Sequence, residues 1–169
     1  MAASIDASVG GTSSNSYCTL GEAETYHDTR LDNTAWSGAT GDHKIRALIT
    51  FTQLLDEWIR WDGSTNTSTQ ALQWPRIDVL DRHGVEYSAL VIPQFVKDAE
   101  SEGALWLLVS DRMADADTRG FSRLGAGPVQ VTVDKFDRAH PIPDSVASKV
   151  RFAGTLRQVR PNISRLVRV

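Results

Sequence analysis

The chain has 169 residues, 41% of them hydrophobic and 23% charged, which suits one globular domain with a buried core and excludes a disordered chain. Its single cysteine, Cys18, excludes an intramolecular disulfide and leaves any zinc site to histidines and carboxylates. The formal charge of −3 hides an asymmetry: six of the 18 basic residues lie from Ser145 onward, where there is no acid, leaving 12 against 21 acids before it, a formal −9. Those six are Lys149, Arg151, Arg157, Arg160, Arg165 and Arg168. A basic tail suits nucleic acid, and it suits an acidic protein surface equally well, including that of a neighbouring copy.

In chain order, the opening "MAASIDASVGGTSSNSY" has neither the basic nor the apolar region of a signal peptide. No later run approaches the roughly 18 apolar residues of a membrane span. The expectation is a soluble, unsecreted protein with no membrane partner and a small, polar, flexible N-terminal arm over residues 1–16. Thr19 followed by Glu22 has the spacing of a capping box and predicts a helix over 20–31. After the turn-rich "NTAWSGATGD", Asp42 is the expected N-cap of the next helix. There Ile45, Leu48, Ile49, Thr52, Leu55, Trp58 and Ile59 recur at three- and four-residue intervals, the stripe of an amphipathic helix that ends near Gly63.

"QALQWPRIDVLDRHG", residues 70–84, should be irregular and extended, because Pro75 lacks a backbone donor and biases Trp74 away from helix. A long helix is predicted over 93–113, with Pro93 in its first turn and Gly103 as a weak point or a close crossing. "PVQVTVDKF" alternates like a strand, and Asp144 is placed to cap another short helix. The end of the chain sets Leu166, Val167 and Val169 among arginines, a strand that needs a partner edge. The fold class is therefore mainly α, a small helical bundle with a β-type extended C-terminal arm. Its expected limits are a helical domain over 17–118 and the arm over 119–169.

Chemical motifs are few. There is no "GxxxxGK", no "GxGxxG" after a strand and no "GxSxG", so neither a phosphate cradle nor an activated serine is expected. His27, His43, His83 and His140 are scattered with no i, i+4 pair. "DADTRG" matches a calcium loop at Asp115, Asp117 and Gly120 but puts Arg119 and Ala126 where oxygen ligands are needed. The expectation is a protein that is not an enzyme and holds no metal and no cofactor. Trp36, Trp58, Trp61, Trp74 and Trp106 could stack bases, with Arg76 beside Trp74 on a phosphate. Trp58 and Trp106 fall in helical stripes and read as core, and the basic residues are not interleaved with the aromatics in sequence.

Taken end to end, "NSYCTLGEAETYHDTRL", Trp36, "KIRALITFTQLLDEW", "QALQWPRIDVLDRHG" and "IPQFVKDAESEGAL" resemble a phage protein family labelled putative DnaT-like single-stranded DNA-binding proteins. Several of its members look like head–tail adaptor proteins of tailed phages. The likeness covers residues 15–110, and "QALxWPR" is its most specific element. It implies a structural virion protein: a homo-oligomeric ring, generally of twelve copies, at the head–tail interface beneath the portal. Its partners would be the portal and the tail or neck completion proteins, with nonspecific contact to DNA in the lumen. The resemblance makes Arg157, Arg160, Arg165, Leu166, Val167 and Arg168 the candidate contacts to portal or adjacent subunit. Trp74, Pro75 and Arg76 become architecture: Trp74 fills the space between the two long helices, Pro75 fixes the crossing segment, and Arg76 pairs with a carboxylate or caps a helix C-terminus. The alternative that the family label carries is a DnaT-like single-stranded DNA-binding protein of phage replication.

Overall fold

The computed structural model describes residues 3–110, 123–126, 129–132 and 142–157. The chain is mainly α with short strands, in the order α1 (Leu20–Asp28), α2 (Thr34–Ser37), α3 (Gly41–Trp58), β1 (Ile59–Trp61), β2 (Ser64–Thr65), β3 (Arg76–Ile77), α4 (Gln94–Val109), β4 (Arg123–Ala126), β5 (Val129–Thr132), α5 (Asp144–Val150) and β6 (Gly154–Leu156). Helix α1 starts as its capping box dictates. Thr19 Oγ1 accepts from the Glu22 backbone N–H, and Glu22 Oε2 accepts from that of Thr19 at 2.7 Å. The cap of α3 is Thr40, whose hydroxyl accepts from His43 N–H. Asp42 sits instead inside the first turn, where it favours the helix dipole and pairs with Arg46 at 2.9 Å.

Helix α4 is the axis of the fold, touched by α1, α2, α3 and α5. Pro93 is its N-cap, one residue before the first turn, with an extended ψ of 145° that is not helical. Gly103 marks the closest approach to α3: a Cβ there would lie 1.9 Å from Cε1 and Cζ of Phe51. Around this crossing Phe51, Leu55, Trp74, Val96, Ile142 and Val146 form one core, and Cys18, Trp36, Leu48 and Leu105 a second. Helix α3 stops at Trp58 rather than near Gly63, since Ile59 and Trp61 are needed as the buried positions of strand β1.

Strand β1 pairs antiparallel with β6, in the register Ile59–Leu156, Arg60–Thr155 and Trp61–Gly154. Strands β2 and β3 form a second antiparallel pair, and β4 and β5 a third. Helix α5 packs on α4 and β6 joins β1, so residues 142–157 lie on the helical body instead of extending away from it. The calcium-like stretch at 115–120 and the tail beyond 157 lie outside the described residues.

Nor do residues 3–16 form a free arm. Asp6 and Asn15 are joined by a backbone bond of 2.9 Å and by the Asn15 side chain, and Gly11 O accepts from Ala71 N–H. Ser16 and the backbone of Tyr17 and Cys18 are held by the Glu100 carboxylate of α4. Small residues suit this path because the segment is folded tightly against itself; a Cβ on Gly11 would meet Ser14 Oγ at 2.5 Å.

Candidate nucleic-acid interface

A tight turn follows β3. Leu80 and Glu86 bridge antiparallel, Asp81 Oδ1 accepts from the N–H groups of His83 and Val85, and Gly84 takes a φ of +78°. That chemistry is the one a reversing turn needs: an Asp to hold the backbone and a glycine for the left-handed position. The turn carries Arg82 and leads to Tyr87, which it sets beside Phe95 on the first turn of α4. From the other side the end of α5 brings Lys149, Arg151 and Phe152. Between them runs an open groove of about 590 Å³.

The groove has a row of half-buried rings. Tyr87 and Phe95 have centroids 5.4 Å apart, and Phe95 and Phe152 4.7 Å apart, both at angles far from parallel. Beneath them lies Trp74, 1% exposed, edge-on to Phe95 at 5.5 Å and to Tyr87 at 6.1 Å. Such edge-to-face contacts favour a fixed ring geometry, so Trp74 steadies the two rings above it. Over this row the Arg82 guanidinium sits 5.9 Å from the Phe152 centroid, within cation–π range. Lys149 Nζ is 5.5 Å from the ring of Tyr26. Arg82, Lys149 and Arg151 line the groove against one acid, Asp98. Burial is the main cause that raises the Tyr87 hydroxyl above its usual pKa, with Asp81 adding to it.

Among the described residues, the stacking candidates singled out in the sequence do not line the groove. Trp36, Trp61 and Trp74 are 1%, 7% and 1% exposed, so none can offer a face to a base. Trp36 stacks on His27 at 4.1 Å and donates to Glu24, while Trp106 donates to Ser145. Arg76 is 6% exposed and donates to backbone carbonyls, Nε to Asp62 at 2.6 Å, Nη2 to Gly63 at 2.8 Å and Nη1 to Gln73 at 3.1 Å, with Nη1 also reaching Gln73 Oε1 at 3.1 Å. It ties the turn between β1 and β2 to the loop that precedes β3, rather than pairing a carboxylate or ending a helix. Pro75 is buried at the same place, behind a cis peptide bond. Arg157 is exposed at the end of β6, its backbone N–H given to Trp58. Arg160, Arg165, Leu166, Val167 and Arg168 lie outside the described residues.

Of the groove residues only Lys149 and Arg151 stand out in the sequence, as part of its basic end; the rings and Arg82 do not, because the interleaving of cations and rings is spatial. One local signal exists: "KVRF", residues 149–152, alternates basic and apolar positions and ends on an aromatic ring.

One family model matches the chain, that of the "Putative DnaT-like ssDNA binding protein", over residues 1–165. No curated protein and no solved structure matches it. This match overturns the head–tail adaptor reading, together with the ring of copies and the portal, neck and tail partners that went with it. The description that fits nearly the whole length concerns DNA binding and carries no connector role. The chain belongs to the family of putative DnaT-like ssDNA-binding proteins.

Proposed function

We propose that this chain binds single-stranded DNA, that it acts by binding alone with no catalytic step, and that the groove between α4, α5 and the 80–87 turn is its DNA contact. The family match carries the first part of this reading, and the chemistry of the groove supports its location. Unpaired bases offer free faces, and an aromatic side chain takes about 1–3 kcal/mol from each stacked base regardless of sequence. Tyr87, Phe95 and Phe152 supply rings, and Arg82, Lys149 and Arg151 supply the charge to hold the adjoining phosphates. A duplex keeps its base faces inside its own stack and cannot reach those rings. The acidic body repels any strand that strays from the groove.

Salt dependence gives the test. Each phosphate neutralised on a single strand contributes about −0.7 to the slope of log K against log salt, so three groove cations account for a slope of about −2. Fluorescence anisotropy with a labelled 15-mer of deoxythymidine, between 50 and 200 mM salt, reads this directly. The Arg82→Ser, Lys149→Ser, Arg151→Ser protein should melt like the wild type and lose about two from the slope. A wild-type protein that ignores the oligonucleotide sinks the function; a triple variant with an unchanged slope sinks the groove.

A further inference from the structure

Asp98 is an odd residue for a phosphate groove. It lies half-buried on the wall, among Arg82, Lys149 and Arg151, where a negative charge can only weaken the hold on a backbone. Its position on α4 is specific. Asp98 follows Phe95 by three residues on the same helix face, where side chains are neighbours at about 5–6 Å, so it stands beside the edge of any base stacked on the Phe95 ring. Its partner is Gln94, one turn earlier, whose Nε2 donates to Asp98 Oδ1 at 2.8 Å. That bond restrains the carboxylate, which lines the groove.

We propose that Asp98, steadied by Gln94, reads the Watson–Crick edge of a base stacked on Phe95 and selects guanine over thymine. This rests on the groove being the DNA contact. An ionised carboxylate is an acceptor only, so the edge that docks on it must present donors. Guanine presents two side by side, N1–H and N2–H, which match the two oxygens. Cytosine and adenine present one amino group each. Thymine presents N3–H between two carbonyl oxygens, and these repel the carboxylate. Phosphates are then held by the cations and kept off the Asp98 side, which orients the strand with its bases toward α4.

The test uses the full chain and three 15-mers: all deoxythymidine, the same with one central guanine, and the same with one central inosine, which lacks the 2-amino group. A single guanine avoids quadruplex formation. The expected order is guanine, inosine, thymine, with roughly tenfold between the ends, the scale of one bidentate base contact. Asp98→Asn should bind the all-thymidine strand more tightly, having lost its repulsion, and should lose most of the guanine preference. A merely structural Asp98 would weaken all three strands alike when replaced. Binding to all three with equal affinity by the wild type, or an unchanged preference in Asp98→Asn, overturns the base-reading role while leaving the groove intact. Binding to none of them removes the groove as DNA contact and the reading of Asp98 with it.

Discussion

Glu100 shows how one side chain ties the start of the chain to its centre. It is 0% exposed on α4, and its carboxylate accepts from Ser16 Oγ at 2.5 Å and Thr52 Oγ1 at 2.7 Å on one oxygen. The other oxygen takes the backbone N–H groups of Tyr17 and Cys18 at 3.0 and 2.9 Å. Burial pushes its pKa up to about 7 against the pull of these donors. An acid that holds its proton more tightly when folded stabilises the fold fully below its unfolded value, and that stability is lost as pH rises from about 4.5 to about 7. His27, whose pKa burial lowers to about 4, works in the opposite sense: its contribution grows as pH rises from about 4 to 6.5. The difference between wild type and Glu100→Gln isolates the carboxylate. The Gln oxygen can keep the two backbone donors, and its amide can donate to the two hydroxyls. Thermal melts should show the wild type losing stability relative to Glu100→Gln between pH 5 and 7.5, and parallel curves would contradict the assignment. Glu100→Ala leaves two buried N–H groups without acceptors and should cost about 3–5 kcal/mol near pH 5, and less toward pH 7.5, where the wild type has itself lost stability.

The packing of elements turns on the α3–α4 crossing, where Gly103 meets Phe51. In an exposed helix, Gly→Ala gains about 1 kcal/mol of propensity. Here the added methyl would overlap a ring that is 0% exposed, and overpacking of this kind costs about 1–3 kcal/mol or more, so the sign reverses. Gly103→Ala should destabilise the protein, and Phe51→Leu in the same chain should recover part of the loss. Denaturant melts of the two single variants and the pair form the cycle that checks it; strict additivity would mean that the two residues do not meet.

What the sequence made legible follows from the same distinction between local and long-range causes. The capping box of Thr19 and Glu22, the α3 stripe and the short helix at 144 depend on neighbours a few residues away, and they were readable, although the N-cap of that last helix is Pro143 and Asp144 is its first residue. The end of α3 was not, because Ile59 and Trp61 leave the helix for a partner strand almost a hundred residues later. The groove was hidden for the same reason. Its rings and cations come from residues 82–95 and 149–152, and only the packing of α5 on α4 makes them neighbours.

At the scale of the whole molecule, charge decides where a polyanion can lie. The segment before Ser145 carries a formal −9, so a strand approaching most of the body meets repulsion. The segment from Ser145 on carries six cations and no acid, and α5 delivers two of them, Lys149 and Arg151, to the groove. Three more, Arg160, Arg165 and Arg168, follow in the last ten residues. A strand leaving the groove gains from following them, since it otherwise crosses acidic surface. Deleting residues 158–169 leaves β6 and its pairing with β1 untouched, so the melting temperature should hold. If the three arginines engage phosphates, the truncated protein should lose about two more from the salt slope, at about 0.7 per phosphate. It should also lose affinity most on long oligonucleotides and least on those no longer than the groove. A truncated protein with the wild-type slope on a 30-mer would show that binding is complete within the groove and that the basic tail serves something other than DNA.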